Sequence, residues 1–194
     1  LHSFPTRRSS DLVLTRLRRQ GADDGRVEAK AAAGGLSKTV WQTVSAFANT
    51  DGGVVILGLD ERNGFAPTPG FQASSIMSAL RQGLARAPGE RPKVQPAPDY
   101  EIDRGNVDGG DVVILTVEPL RPGPGVALPC YVYEQGVERG SYKRIDDADV
   151  RLTPYEVYLL HTQNQLDGTD REAVDGATLA DLSEEGVSRA LDQY

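Results

Sequence analysis

The sequence has few of the residues that build disulfides, metal centres or membrane segments. It contains one cysteine, Cys130, and two histidines among 194 residues, which excludes an internal disulfide and a zinc site made of cysteine and histidine. Its longest apolar runs, residues 54–59 and 112–115, are far shorter than the roughly 20 residues that a membrane helix requires. We therefore expect a cytoplasmic protein with no membrane partner.

Nucleotide-binding glycine motifs are also missing from the sequence. A glycine-bearing loop before Lys38-Thr39 resembles a phosphate-binding loop in outline, but that motif requires glycine six residues and one residue before the lysine. Ala32 and Ser37 occupy those two positions. No G-x-G-x-x-G run follows a predicted strand either. We therefore expect no cofactor in this part of the protein.

The formal net charge of −7 is unevenly distributed along the chain. Acidic residues predominate from position 146 onward, whereas the central region is nearly neutral, so the charge does not exclude a nucleic-acid partner. Residues 1–12 resemble a translated sequencing adapter and are interpreted as an artefact. We assign residues 13–162 to one domain, and residues 163–194 to a linker and the truncated start of a following domain.

Strands alternate with helices in the central region. An apolar-striped helix begins after Ser37, its predicted N-cap, and presents Val40, Val44 and Phe47 on one face. The Gly52-Gly53 turn ends this helix and leads into a strand, residues 54–59, that is apolar on both faces. Further predicted elements are strands at 26–31, 92–103 and 111–118, a helix at 74–87, a hairpin of 130–134 with 137–144, and a helix from Thr153 to about His161. The pattern predicts an α/β or α+β fold with a mixed sheet flanked by helices.

Acidic residues fall where two of the predicted strands could meet. Asp23, Asp24 and Glu28 precede or lie in the first strand, and Asp60 and Glu61 follow a later one. If these strands are neighbours, the carboxylates could bind Mg²⁺ or Mn²⁺ and activate a water for phosphodiester cleavage. The plainer interpretation is turn chemistry for the aspartates and an ion pair between Glu28 and a lysine two residues later.

Basic residues and a glycine turn indicate a different kind of site. Lys38 falls in the first turn of a helix, where a cation is favourable only beside an anion. Tyr142 precedes Lys143 and Arg144, a combination typical of surfaces that stack bases and contact phosphates. Residues 49–53 could present backbone N–H groups to a phosphate, although a double glycine more often only turns a helix into a strand. Scattered solvated lysines remain the alternative interpretation.

Three segments together resemble the Schlafen AlbA_2 family, also called divergent AAA-4. They are Glu28-x-Lys30, the run Ala46-Phe47-Ala48-Asn49-Thr50-x-Gly52-Gly53 with the strand Ile56-Leu57-Gly58-Leu59-Asp60, and Gly140-Ser141-Tyr142-Lys143-Arg144. The resemblance covers about residues 20–162 and implies a nucleic-acid-binding α/β domain of transcriptional regulators and helicase-related proteins, which an ATP-binding domain usually follows. Some eukaryotic members cut RNA with three carboxylates. Glu28 matches one of them, Asp23 stands where the second lies, and Asp60 falls near the third.

We therefore predict a nucleic-acid-binding domain, with DNA as the expected ligand and RNA left open. The predicted contact residues are Lys30, Lys38, Asn49, Thr50, Gly52, Gly53, Lys143 and Arg144. One alternative is a nuclease that depends on Mg²⁺ or Mn²⁺ and uses Glu28, Asp23 and Asp60. Another is a module that serves only for assembly with other chains, including further copies of itself.

Overall fold

A four-stranded mixed sheet forms the centre of the domain. The computed structural model describes residues 25–85, 92–121 and 128–169, with side chains as far as residue 162. Its strands and helices, in chain order, are β1 (Val27–Lys30), α1 (Lys38–Ala48), β2 (Gly53–Leu57), β3 (Leu59–Asp60), β4 (Ala66–Pro67), α2 (Ala73–Gly83), β5 (Val94–Gln95), β6 (Tyr100–Val107), β7 (Gly110–Val117), β8 (Tyr131–Val132), α3 (Val137–Gly140), β9 (Tyr142–Ile145), β10 (Ala148–Arg151) and α4 (Pro154–Thr169). The main sheet has the order β1-β2-β7-β6. Because β1 is parallel to β2 and the other neighbours are antiparallel, the predicted mixed α/β fold is confirmed.

Strand β2 lies inside the sheet and is covered on both faces. Val55 and Leu57 contribute to the core under α1 and α2, whereas Ile56 faces a second apolar cluster. The predicted strand 54–59 is nevertheless interrupted at Gly58, which has a φ of +101°. A Cβ there would lie 2.9 Å from the carbonyl oxygen of Asp111, so the close approach of two backbones requires glycine. The chain then leaves the main sheet and forms the small β3–β4 ribbon.

Helix α1 buries the apolar stripe that the sequence predicted. Val40, Val44, Phe47 and Ala48 are almost completely buried, and the helix contacts both the main sheet and the β9–β10 hairpin. Ser37 occupies the N-cap position with an extended backbone but makes no side-chain capping bond to the described helix. Its hydroxyl instead bonds to the Thr39 hydroxyl at 2.7 Å.

Two predictions in the middle of the chain are wrong in their boundaries. Helix α2 ends at Gly83 rather than residue 87, at the point where a Cβ on Gly83 would lie 2.2 Å from the Trp41 ring. The predicted strand 92–103 is divided into β5 and β6. Pro96 and Pro98 lie between them, and proline lacks the N–H that a sheet ladder requires.

The C-terminal part departs most from the sequence-based expectation. The predicted hairpin of 130–134 with 137–144 is reduced to one antiparallel bridge between Tyr131 and Ser141, because β8 pairs with β5 and β9 pairs with β10. The last helix starts as predicted but continues to Thr169, through the first seven residues of the predicted linker. Predictions about residues 1–24 and 170–194, including the adapter and the start of another domain, lie outside the described residues. Among the helices that are described, none is long and apolar enough to span a bilayer.

Candidate functional site

The turn after α1 is held by Asn49, which joins three segments of the chain. Its Nδ2 donates to the carbonyl oxygens of Cys130 at 2.8 Å and Tyr142 at 2.9 Å. Its Oδ1 accepts the backbone N–H of Cys130 at 2.7 Å. An amide that exchanges three hydrogen bonds with partly buried backbone satisfies groups that would otherwise lose hydration. The side chain of Asn49 is therefore committed to holding the fold, although the sequence singled it out as a ligand contact.

The two glycines of the same turn are required by close packing. Gly52 has a φ of +73°, and a Cβ on it would lie 2.6 Å from the carbonyl oxygen of Val117. A Cβ on Gly53 would lie 2.8 Å from the Phe47 ring. Thr50 donates its hydroxyl to the Ala46 carbonyl oxygen at 2.7 Å. Both glycines thus allow the helix to turn into β2 at short range, which was the plainer of the two interpretations.

A buried ionic cluster lies between β1, α1 and the β9–β10 hairpin. The guanidinium of Arg144, with a side chain only 3% exposed, binds Glu28 at 2.7 Å and Asp149 at 2.9 Å. The second oxygen of Glu28 accepts from Lys30 at 2.5 Å, and Asp149 also accepts the Thr43 hydroxyl at 2.6 Å. Glu28, Lys30 and Arg144 were all predicted as site residues, and the structure brings these three together.

The environment of Arg144 keeps it charged although it is inside the protein. Burial alone would lower the pKa of the guanidinium, but hydrogen bonds and charges from Asp149 and Glu28 outweigh burial and raise that pKa. The guanidinium carbon also lies 5.4 Å from the centre of the Phe47 ring, within range of a cation–π contact. A cation enclosed in this way stabilises the packing of three elements and is not presented to a polyanion in solvent.

Lys143 points away from this cluster, although it is the neighbour of Arg144 in the sequence. Successive residues of a strand project to opposite faces, so Lys143 lies on the outer face of the β9–β10 hairpin. There its ammonium binds Oε1 of Glu156 in the first turn of α4. The hydrogen bond from Lys143 and those from Thr153 lower the pKa of Glu156 to about 2. Lys143 is therefore a surface cation with one carboxylate partner.

Lys38 lies in a third environment, at the exposed start of α1. Its charge contributes to lowering the pKa of Glu134, although a hydrogen bond from Lys93 is the main cause of that shift. Tyr142, which we expected to stack on bases, is buried. Its hydroxyl accepts from Gln42 at 3.0 Å and donates to Gln135 at 2.9 Å. The predicted cations therefore occupy three separate environments, and the expected aromatic belongs to the core.

An open cleft of about 530 Å³ lies where β1 and β2 begin. Three predicted residues, Thr50, Gly52 and Arg144, contribute to its wall. The complete lining is Gly25, Arg26, Thr50, Asp51, Gly52, Arg144, Asp146 and Asp147. Arg26 binds Asp51 at 3.3 Å, and Arg144 is bound to the buried carboxylates. Because the lining contains three aspartates and two arginines that are already paired, the cleft offers no excess positive charge for a phosphate.

The carboxylates predicted for metal binding have other roles or are not described. Asp23 lies outside the described residues. Both oxygens of Glu28 hold cations, and Asp60 accepts the backbone N–H of Arg62 at 3.1 Å as the cap of a short 3₁₀ turn. Within residues 25–85, 92–121 and 128–162, no group of three potential metal ligands is present. The plainer interpretation, turn chemistry and a Glu28–Lys30 ion pair, describes Glu28, Lys30 and Asp60 correctly.

Sequence reasoning missed the acidic partners of the predicted cations. Asp149 binds Arg144 because β9 and β10 pair in a register that places these residues opposite each other. A hairpin turn around Asp146-Asp147 was the signal that could have revealed this pairing, since Asp is common in tight turns. Glu156 falls within the helix predicted from Thr153, and Thr43 within the helix predicted after Ser37, but neither helix identifies a partner for them. Their contacts depend on tertiary packing, which local patterns do not encode.

This chain is similar to one protein family and to solved structures. A family model described as Schlafen, AlbA_2 matches residues 23–153. The solved N-terminal domain of a RecG-related protein from Nitrosomonas europaea, named for an ATP-dependent DNA helicase, is 26% identical with a TM-score of 0.52, over 77% of this chain and 95% of that chain. The DIP2311 protein from Corynebacterium diphtheriae is 20% identical with a TM-score of 0.46, over 97% of this chain and 39% of that chain. Among curated proteins, none matches significantly.

The matched residues include all the segments that carried the sequence resemblance, from the strand of Glu28 to the strand of Arg144. They make up more than half of the 194 residues, and the mixed sheet with its helices is the same kind of domain as the N-terminal domain from Nitrosomonas europaea. The chain therefore belongs to the Schlafen AlbA_2 family.

Proposed function

We propose that this chain is a nucleic-acid-binding domain of a helicase-related or regulatory protein, and that its ligand is DNA. The observation that carries the proposal is the similarity to the N-terminal domain of the RecG-related protein, which covers 77% of this chain and 95% of that domain. A domain attached to an enzyme that works on DNA can hold the substrate through its phosphates, without reading the bases. The proposed role is therefore backbone binding with little sequence preference.

Two lysines have the exposure that phosphate contact requires. Lys38 is exposed in the first turn of α1, where the helix dipole and the N-terminal N–H groups also attract an anion. Lys143 is 29% exposed on the outer face of the hairpin. Lys30 is less accessible, at 20%, because Glu28 binds its ammonium. We assign the phosphate contacts to Lys38 and Lys143, and a weaker contribution to Lys30.

The other predicted contact residues support the proposal indirectly. Asn49, Thr50, Gly52, Gly53 and Arg144 hold α1, β2 and β9 in place through the contacts described above. Lys38 begins α1, and Lys143 lies on β9. Substituting any of the five is expected to affect nucleic-acid binding through the loss of folded protein.

A salt-dependent binding titration tests the proposal. Fluorescence anisotropy with labelled single-stranded DNA, duplex DNA and RNA would be measured between about 50 and 200 mM salt. We expect affinity that falls steeply with salt, and that does not depend strongly on sequence. Each of the variants Lys38→Gln and Lys143→Gln should weaken binding to every sequence tested and reduce the slope of log K against log salt by about 1.

Arg104→Gln supplies the matched control for these variants. It also removes one positive charge, but from the β6–β7 hairpin at the opposite edge of the sheet from β1. This variant should keep the affinity and the salt slope of the wild type. Undetectable binding at low salt, or equal losses in Arg104→Gln and Lys143→Gln, would contradict the proposal. Tighter binding of RNA than of DNA would show that the ligand is RNA and not DNA.

A role in assembly is the second candidate, because one face of α4 is apolar and exposed. Tyr155 and Tyr158 are 68% and 63% exposed, and Leu159 lies beside them at 38%. Residues three and four positions apart share a helix face, so these side chains form one patch. Light scattering of the whole chain tests this candidate. A dimeric wild type together with a monomeric double variant, Tyr155→Ser with Tyr158→Ser, would support it.

A further inference from the structure

The carboxylate of Glu156 has two partners: one oxygen binds Lys143, and the other binds Thr153. Oε1 of Glu156 binds the Lys143 ammonium. Oε2 accepts the backbone N–H of Thr153 at 2.8 Å and the Thr153 hydroxyl at 2.9 Å. The backbone N–H of Glu156 donates in return to the Thr153 hydroxyl oxygen at 3.3 Å, and this bond and the one from the Thr153 N–H form a capping box that starts α4. Only the contact with Lys143 requires the negative charge of a glutamate, because glutamine can fill the same position in a capping box.

This ion pair is more accessible than the buried one around Arg144. The side chains of Lys143 and Glu156 are 29% and 31% exposed, whereas those of Arg144 and Glu28 are 3% and 12% exposed. A phosphate in solvent can therefore reach Lys143, and a displaced Glu156 carboxylate can be hydrated. Exposed pairs of this kind contribute little net free energy, so exchanging one anion for another at Lys143 costs little.

Glu156 remains a charged competitor at every pH at which the protein is expected to bind DNA. Its pKa of about 2 keeps the carboxylate ionised from acidic to neutral solution. An ionised carboxylate and a phosphate oxygen are alternative partners for the same ammonium. Occupation of Lys143 by one of them therefore opposes occupation by the other.

We propose that Glu156 is an internal competitor that limits nucleic-acid binding by holding Lys143 until a phosphate replaces it. The inference rests on the proposed function and adds a means of regulating it. Binding of a phosphate at Lys143 then releases the first turn of α4 from the β9–β10 hairpin, while the Thr153 cap remains. By linkage, the factor by which this contact weakens nucleic-acid binding equals the factor by which bound nucleic acid weakens the contact.

The variant Glu156→Gln tests this competition, because it retains the cap and removes the charge that holds Lys143. With the whole chain and a labelled DNA oligonucleotide, we expect it to bind about two- to fivefold more tightly than the wild type, which corresponds to the free energy of one exposed ion pair. The gain should disappear when the same substitution is made in Lys143→Gln. Circular dichroism would establish that α4 and the rest of the fold are unchanged.

Asp111→Asn is the matched control, since it also removes one negative charge and frees a cation, Arg104, at a remote hairpin. It should leave DNA affinity unchanged. An equal gain in DNA affinity in Asp111→Asn and Glu156→Gln, or a gain that persists in the Lys143→Gln background, would show that the effect comes from net charge alone. Either result would overturn the inference. Wild-type binding without any gain in Glu156→Gln would overturn the inference alone. No binding by the wild type or any variant would overturn the proposed function as well.

Discussion

Replacing Arg144 with methionine should destabilise the domain strongly, although the sequence presents this residue as a surface cation. Methionine fits an apolar interior but leaves Glu28 and Asp149, which are 12% and 14% exposed, without their shared counter-charge. Removing one partner from a buried ion pair costs about 3–5 kcal/mol. Lys30 still binds Glu28, and Thr43 still binds Asp149, so we expect the lower end, about 3 kcal/mol.

Urea unfolding followed by tryptophan fluorescence measures this loss directly. Trp41 is the single tryptophan and is 7% exposed in α1, so its emission reports exposure of the core. With a urea dependence of about 1–3 kcal/mol per molar, a loss of about 3 kcal/mol lowers the midpoint by at least about 1 M. The surface variant Arg104→Met, which removes an exposed ion pair, should leave the midpoint almost unchanged.

A rescue experiment separates lost charge pairing from lost packing. Adding Glu28→Gln and Asp149→Asn to Arg144→Met neutralises both stranded carboxylates while keeping hydrogen-bonding groups for Lys30 and Thr43. Most of the lost stability should then return. If Arg144→Met is no more destabilised than Arg104→Met, or if the triple variant is less stable than the single one, the buried cluster does not contribute as we describe.

Three further predictions concern the turn after α1 and the start of α4. Asn49→Ala should lower the free energy of unfolding by at least about 2 kcal/mol, since it leaves partly buried backbone groups without partners; a change below about 0.5 kcal/mol in urea unfolding would contradict the role of this amide. Gly53→Ala should cost about 1–3 kcal/mol because the new methyl group overlaps an aromatic ring, while Gly34→Ala, whose methyl group meets nothing within 4 Å, should be neutral by calorimetry. The pKa of Glu156 falls from an ordinary 4.5 to about 2 on folding because of its bonds from Lys143 and Thr153, so the ionised carboxylate contributes stability that is fully present above about pH 4.5 and is lost as the pH falls toward 2. The difference in urea midpoint between wild type and Glu156→Gln should therefore shrink between pH 5 and pH 2; a constant difference would be incompatible with this pKa.

The sequence predicted the elements whose side chains repeat with a clear period. The stripe of Val40, Val44 and Phe47 located α1, and the apolar run after Gly53 located β2, because burial on one or both faces imposes those patterns. The sequence did not predict the elements around residues 130–144 correctly, since β8 and α3 are too short to show a period. Their pairing is decided by contacts with β5 and β10, which are distant or later in the chain.

The candidate site was predicted less well because residue type does not specify a partner. Lys143 and Arg144 looked equivalent in sequence, but strand alternation sends one to solvent and the other into the core. Asn49 looked like a ligand contact because it precedes a double glycine. Three of its hydrogen bonds join it to backbone groups of Cys130 and Tyr142, and no local sequence pattern predicts partners so far along the chain.

The bonds of Asn49 also determine when this domain can fold during synthesis. They connect positions 81 and 93 residues apart, and Glu28 meets Arg144 across 116 residues. Because translation adds about 5–20 residues per second, the segments that bond to Asn49 are synthesised about 5 to 20 s after α1. During that interval the ribosome carries an incomplete sheet with an open apolar face. The Asn49 and Glu28 contacts form only after Tyr142 and Arg144 have been synthesised, and until then the growing chain has the exposed apolar surface that makes incomplete domains prone to aggregation.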